Sequence, residues 1–427
     1  MRYLSGFMCV CALGVIPLAA CVEATGDGGR GGSAGSGGTA GDGGGGGTGG
    51  ACEGNVCPCS EAGILAAIEA GGDVPYTFDC DGPTTVVTQV GFFIDNDVIL
   101  DGEGNLTVAL DPRYKEDLER VFSFSVPEGV KAELHRLTAD SSGAAIGQLG
   151  GVINEGTLTI QGCVISGSSS EFGPPWEGGG IYNAGEMTII NSTVSKNRSG
   201  HLQGGGIYNG CSATLMLVNS TVSGNVAGID GTGAVGGGIF NEGEMTIINS
   251  TVSGNAAGSV IGDVSGGGIA NAGWMSLTNS TVSGNSADSG DAIASTSASR
   301  CPDLHTEIAN TLIDGDCDNG DAGATLIWAS KGYNIESPGN TCGFDQQGDQ
   351  AGVGEQELNL GPLADNRGPT MTHALLPGSV AIDRVPAVDC GLAEDQRGEP
   401  RPETDGTLCD VGAFEGQPPP PRERLPF

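Results

Sequence analysis

Five consecutive residues, Asn191-Ser192-Thr193-Val194-Ser195, return with their asparagines at 219, 249 and 279, at intervals of 28, 30 and 30. Each copy follows a glycine-rich unit. The first is Gly178-Gly179-Gly180-Ile181-Tyr182-Asn183, and the same pattern then ends at Asn209, Asn241 and Asn271. A weaker copy runs from Gly150-Gly151-Val152-Ile153-Asn154 to Cys163-Val164-Ile165-Ser166, and a degenerate one is Ile308-Ala309-Asn310-Thr311-Leu312-Ile313. Units this short cannot close a core alone and must bury their apolar faces against one another.

Superposing the copies separates the positions into columns. Leu158, Met187, Leu215, Met245 and Met275 form one, and two residues on come Ile160, Ile189, Leu217, Ile247 and Leu277. A third is Ile165, Val194, Val222, Val252 and Val282, and a fourth Val152, Ile181, Ile207, Ile239 and Ile269. Thr188, Thr246 and Ser276 mark an outward position between the first two. Alternation with period two predicts short strands rather than helices. A leucine-rich solenoid would need its own leucine spacing and a propeller a longer repeat. The prediction is therefore an all-β, parallel β-helix solenoid. Asn183/Asn209/Asn241/Asn271, Asn191/Asn219/Asn249/Asn279 and Asn197/Asn225/Asn255/Asn285 fall at coil corners, where asparagine tolerates left-handed backbone and stacked amides can bond coil to coil. That reading displaces the Asn-x-Ser/Thr glycosylation reading. Glycine triplets supply tight turns and close backbone approach.

The coil pattern Gly-Gly-Gly-Ile-Tyr-Asn with Met-Thr-Ile-Ile-Asn-Ser-Thr-Val-Ser resembles the right-handed parallel β-helix of pectin-lyase-like surface proteins. Towards the C-terminus, Leu360-Gly361-Pro362-Leu363-Ala364-Asp365-Asn366, Pro369-Thr370-Met371-Thr372-His373-Ala374-Leu375 and Gly378-Ser379-Val380-Ala381-Ile382-Asp383 resemble the choice-of-anchor Q domain. Asp395-Gln396-Arg397-Gly398 and Cys409-Asp410-Val411-Gly412-Ala413-Phe414-Glu415 complete that resemblance, which spans about 57–416. Arg367 stands where the family usually has Gly, and Val380 where it has Pro. The resemblance implies display on a bacterial surface, with no established reaction.

Residues 1–20 read as an export signal: Arg2, an apolar run from Phe7 to Pro17, then Leu18-Ala19-Ala20 before Cys21. Leu-Ala-Ala-Cys resembles a bacterial lipoprotein processing box, which makes Cys21 the lipidated N-terminus and the lipid anchor the link to a membrane; ordinary secretion with cleavage near Ala20 is the alternative. Val22, not Asp, then favours the outer membrane and cell surface. No later stretch approaches the roughly 18 apolar residues of a spanning helix. Residues 21–51 follow as a flexible tether, with 16 of the chain's 78 glycines between Gly26 and Gly50 and no large apolar side chain there. Its Gly31-Gly32-Ser33-Ala34-Gly35 lacks the strand-to-helix context of a hydrolase elbow. Seventeen Lys+Arg against 52 Asp+Glu give a net charge of −35, which argues against nucleic acid and against a basic patch on anionic lipid.

Setting aside Cys9, Cys11 and Cys21, eleven of the 14 cysteines remain, an odd number that leaves one free or unexpectedly partnered. In an exported protein they read mostly as disulfides. Cys52, Cys57, Cys59 and Cys80 group at one end and Cys301, Cys317, Cys342, Cys390 and Cys409 at the other, with Cys163 and Cys211 between. Cys57-Pro58-Cys59 is poor zinc spacing with no histidine near.

The solenoid is expected over 52–345, with a capping helix near 60–70. Ser60 is its N-cap, Ile64, Leu65 and Ile68 its apolar stripe, and Gly71-Gly72 its stop. Val86–Phe93, Val98–Leu100, Leu106–Leu110, Val121–Val126 and Ala132–Leu137 read as irregular early coils. The C-terminal segment 346–416 closes the solenoid, and 417–427 is a disordered proline-rich tail.

Candidate chemistry is sparse. Glu186 and Glu244 share an outward column two coils apart, about 9.6 Å at strand spacing, just beyond inverting-glycosidase geometry. They read as solvated positions. Asp314, Asp316, Asp318 and Asp321 form the densest acidic cluster, but Asn319 and the missing closing Glu break the EF-hand rule, leaving at most a loose calcium site. His135, His201, His305 and His373 show no metal spacing, and His373 reads as a packing or hydrogen-bonding residue. The inter-coil insertions should crowd one side, where Trp176, Arg198 and His201 form the candidate contact patch. The leading expectation is a non-catalytic, surface-displayed lipoprotein, an adhesin-like or structural β-helix with a polysaccharide or cell-surface ligand. The alternative is a carbohydrate-active enzyme or polysaccharide-binding module. No cofactor is expected apart from calcium, which the loose acidic site or a lyase's substrate would take.

Overall fold

Each repeat forms a coil of short strands joined by tight corners. In one coil the chain passes through Ile181–Asn183, Glu186–Ile190, Thr193–Ser195 and Arg198–Ser199, and the next coil stacks on each of these in parallel. We number the resulting sheets 1 to 4 in that order. The computed structural model describes residues 50–89, 91–111, 122–142, 151–170, 178–200, 203–228, 233–258, 264–296, 304–320, 327–403 and 406–416. Among them sheet 2 has eleven strands, sheet 3 ten, sheet 1 nine and sheet 4 four. The molecule is an all-β parallel solenoid. The export signal, Cys21, nearly all of the tether and the tail at 417–427 lie outside the described residues.

The apolar columns are the register of the sheets. Leu158, Met187, Leu215, Met245 and Met275 pair in sequence across sheet 2, as do Ile160, Ile189, Leu217, Ile247 and Leu277. Ile165 to Val282 does the same in sheet 3, and Val152 to Ile269 in sheet 1. All four columns point inward and share one buried core.

Every position of the Asn-Ser-Thr-Val-Ser motif has a separate task. Asn191, Asn219, Asn249 and Asn279 turn the corner with φ of 49°, 51°, 53° and 49°. The following serines form a ladder that the sequence reading missed. Ser220 Oγ accepts from Ser192 N, Ser250 Oγ from Ser220 N and Ser280 Oγ from Ser250 N, at 3.2, 3.0 and 3.2 Å. Cys163 occupies the corresponding place one coil earlier, its N–H bonded to Ser192 Oγ. Val fills the core, and the flanking Thr and Ser face outward. Within the corner-asparagine column one amide bond forms, from Asn249 to Asn219 Oδ1 at 3.0 Å, whereas the other two asparagine columns are continuous amide ladders. Asn183 to Asn209 to Asn241 to Asn271 spans 2.7–2.8 Å per step, and Asn197 to Asn225 to Asn255 to Asn285 spans 2.9–3.0 Å.

The glycine triplets divide their work. Gly236 takes φ 70°, whereas a Cβ on Gly237 or Gly238 would come within 2.5 or 2.6 Å of a carbonyl oxygen in the next coil. Only glycine fits both demands.

Helix α1, Glu61–Ala70, covers the first coil. Ser60 caps it by accepting from Gly63 N, and Gly71 ends it at φ 59°. Its buried face is Ile64, Ala67 and Ile68 rather than the expected stripe; Leu65 is 49% exposed. Positions 64, 67 and 68 lie on one face at 3.6 residues per turn, and 65 falls a quarter-turn away. Two early strands also divide at corners. The stretch expected at Val86–Phe93 is Thr84–Thr88 in sheet 3 and Phe92–Phe93 in sheet 1. Ala132–Leu137 becomes Lys131–His135, turned by Arg136 at φ 47° into Thr138–Asp140. At the far end Cys342 and Phe344 enter the core, held there by Glu336, which accepts from Thr341 N–H and O–H and from Cys342 N–H.

Disulfides join Cys52 to Cys57, Cys59 to Cys80, Cys317 to Cys342 and Cys390 to Cys409. Cys211 is disulfide-bonded as well. Cys163 is the free thiol among the described residues, and burial pushes it up to about 12.

The C-terminal segment lies along the outer side of sheet 3. Helix α2, Glu355–Leu358, leads into an antiparallel pair, Leu360–Ala364 with Thr372–Leu375, and a second pair joins Val385–Pro386 to Leu408–Cys409. Leu358, Leu375, Ala381, Val385, Val411 and Phe414 make a second core with the outward Leu312 and Ile335. Arg367 adopts φ 70°, the backbone a glycine would take freely, and Val380 donates its N–H to Glu357 O, a bond proline could not make.

Candidate functional site

The C-terminal motifs converge on a buried polar clasp over sheet 3. Asp395 Oδ1 accepts from Arg397 N and Glu399 N, and its Oδ2 from Arg397 Nε, Arg397 Nη2 and Glu415 N, at 2.6 to 3.1 Å. Arg397 lies 3.6 Å over the Phe414 ring. Gln396 reaches the solenoid itself. It donates to Ser220 O, Thr221 Oγ1 and Thr370 Oγ1, and accepts from Thr251 Oγ1 at 2.6 Å. Corner asparagines are met too: Asn249, Asn279 and Asn310 donate to the carbonyls of Glu394, Cys390 and Asp389.

His373 belongs to the same contact. Gly361 O, 2.7 Å from Nδ1, can only accept, so Nδ1 carries the hydrogen and Nε2 accepts from Ser253 Oγ at 2.8 Å. Burial lowers its pKa from the ordinary histidine value. It is the hydrogen-bonding residue its surroundings in the sequence suggested.

At the outer end of the clasp stand Arg401, Glu403, Asp410 and Glu415. Arg401 Nε lies 3.0 Å from Glu415 Oε2 with neither side chain exposed, but off the hydrogen-bond direction. Arg401 Nε and Nη1 and Glu415 Oε1 therefore have no hydrogen-bond partner. Burial pushes the Glu415 carboxyl up to about 8 against the pull of Arg401. Burial also raises Asp410 and Glu403, and lowers Arg401.

The outer face of sheet 2 is the other candidate surface. One outward column runs Lys131, Thr157, Glu186, Thr214, Glu244, Trp274, His305. Glu186 and Glu244 are exposed and two strands apart with Thr214 between them, the arrangement read from the repeat. Trp274 stacks on His305 with ring centroids 6.3 Å apart and planes 16° apart. His305 Nε2 and Lys331 Nζ reach Glu307 at 3.0 and 2.8 Å, and Lys331 first, then His305, holds that carboxyl below its usual range. Toward the N-terminal end, Asp73, Asp97, Lys131 and Glu133 line an open groove of about 550 Å³.

Of the contact patch, Arg198 is exposed on the second strand of sheet 4, while Trp176 and His201 lie outside the described residues. The four strands of sheet 4, Ser169–Ser170, Arg198–Ser199, Val226–Ala227 and Ala256–Ala257, are the opening residues of four of the insertions, and much of the insertions beyond them lies outside the described residues. The acidic cluster is dispersed. Asp314 lies in sheet 3, accepting from Ser283 Oγ, and Asp318 lies in sheet 1, accepting from Gly320 N. Asp316 is exposed at the turn between them, and Asp321 lies outside the described residues. The described carboxylates that do converge are Glu403, Asp410 and Glu415, whose oxygens lie within 4.8 Å of one another. Sequence spacing could not reveal them, because 403, 410 and 415 follow no repeat. Trp274 could have been found, as it continues the Glu186–Glu244 column.

The fold and these sites define a class: a parallel β-solenoid clasped along one flank by its own C-terminal segment. No family model, curated protein or solved structure matches the chain.

Proposed function

We propose that the chain is a non-catalytic lipoprotein displayed on a bacterial outer membrane, anchored through Cys21 and carrying a rigid, adhesin-like or structural rod. In this reading it is a right-handed, pectin-lyase-like β-helix with a C-terminal segment of the choice-of-anchor Q type. The observation that supports it is the unbroken stack: eleven parallel strands in sheet 2, about 48 Å at strand spacing, clasped along sheet 3 by residues of the C-terminal motifs. A stiff spacer of that kind suits presentation of a surface beyond the membrane. Leu18-Ala19-Ala20-Cys21 supports the anchor. Labelled fatty acid should enter the wild type and not Cys21→Ala; equal labelling of both would remove the anchor from this reading.

A second reading rests on Trp274. Its ring stacks against His305 and stands beside Glu244 in the same exposed column, an apolar platform with an acceptor next to it, which suits a sugar face. Purified protein screened against plant and bacterial polysaccharides separates the two readings. The first expects no turnover. Turnover abolished by Glu244→Gln would replace it with a carbohydrate-active enzyme, and binding lost in Trp274→Ala without turnover would make the rod a polysaccharide-binding module.

A further inference from the structure

The clasp holds more negative charge than its own cations balance. Asp395, Asp410 and Glu415 have no exposed surface and Glu403 is half-buried. The guanidiniums set among these four carboxylates are Arg397 and Arg401. With all four carboxylates ionised, two negative charges are left over. The carboxylates are not equivalent, because Asp395 is saturated by five donors. The surplus therefore falls on Glu403, Asp410 and Glu415, the three that converge. Within that group Glu415 Oε2 accepts from Asp410 N, while Glu415 Oε1, on a fully buried side chain, has no hydrogen-bond partner at all. A buried carboxylate oxygen left bare is costly unless something positive meets it.

We propose that Glu403, Asp410 and Glu415 hold one calcium ion that locks the C-terminal clasp onto the solenoid. The donor set is oxygen only, with no thiolate or imidazole in the cluster, which selects a hard cation. Oxygens within 4.8 Å of one another lie close enough to share one ion bound at about 2.4 Å. One divalent ion cancels the two uncompensated charges, and Arg401 limits the site to one. Calcium tolerates an irregular, partly hydrated oxygen shell, whereas magnesium demands near-octahedral geometry. An anion could satisfy the free Arg401 donors but would add to the negative excess. The acidic turn at Asp314, Asp316 and Asp318 offers no comparable convergence.

The test uses the full chain, stripped with chelator and dialysed into 150 mM salt to suppress diffuse cation binding to its acidic surface, with calcium and magnesium chloride as probes in titration calorimetry. A single saturable calcium site should appear, at least tenfold weaker for magnesium, and calcium should raise Tm. Glu403→Gln changes the half-buried ligand, so the apo protein should keep its Tm within about two degrees while calcium affinity falls at least tenfold. Asp316→Asn with Asp318→Asn should leave calcium binding unchanged. No saturable calcium binding, binding equally tight in Glu403→Gln, or binding lost in the Asp316/Asp318 double variant but kept in Glu403→Gln would each overturn the assignment. A calcium-independent Tm that responds to pH alone would show that protons, not a metal ion, neutralise the cluster, and would overturn it as well.

Discussion

Asparagine does two different jobs in this protein, and the structure separates them by position. Asn191 supplies a left-handed corner at φ 49°, which glycine could supply as well. Asn225 is a fully buried rung that accepts from Asn197 and donates to Val194 O and Asn255 Oδ1. Substitution should split the two classes. Asn191→Gly is expected to change stability by a few tenths of a kcal/mol and Asn191→Val to cost about 1–2 kcal/mol. Asn225→Ala should cost about 1–3 kcal/mol for each buried group it strands, and Asn225→Gly should be no better. Chemical denaturation of the four variants checks this, and equal tolerance of glycine at both positions would contradict it. Columns of asparagine were legible in the sequence. Which columns form a continuous amide ladder and which turn the corner, with a single amide bond from Asn249 to Asn219, was not, because residue type permits both and the local dihedral decides.

Among the elements, the strands of sheet 2 were readable because their alternation meets its own copy in the next coil. The clasp was not. Gln396 and Thr251 bond across 145 residues, and no periodicity relates them. The charged end of the clasp gives a pH dependence. Glu415 stays protonated in the folded chain up to about 8, with Arg401, Asp410 and Glu403 as its charged neighbours, whereas an ordinary glutamate releases its proton near 4.5. Between these limits the folded state binds more protons than the unfolded chain, so stability is greatest below the lower limit and falls as pH rises towards the upper one. Asp410 and Glu403 shift in the same direction. His373, lowered by burial, acts oppositely and weakens the clasp only as pH drops below the usual histidine value. In calcium-free buffer Tm should therefore decline from pH 6.5 to pH 8.5. Glu415→Gln, which carries no charge to lose, should flatten that decline.

At the scale of the whole molecule, each coil touches only its neighbours, so stability builds along the stack. Amide exchange should be slowest in the central strands around Val222, Ile247 and Val252, which have a coil on either side and, on sheet 3, the clasp outside. It should be faster in Val56–Pro58, the edge strand of sheet 2. Uniform protection from end to end would show that the rod opens as one unit. The acidic net charge is carried largely outside the core columns, and where it enters the fold, at the clasp, it is paired or crowded. The sequence by itself determined the solenoid, its inward columns and its corner residues, because in parallel stacking equal repeat positions become neighbours in space. Only the tertiary structure decided that the C-terminal motifs grip sheet 3, that Cys163 stays unpaired at the start of a serine ladder, and that Glu403, Asp410 and Glu415 meet. Those contacts join segments with no shared period, and what brings them together is the burial of sheet 3's outward face.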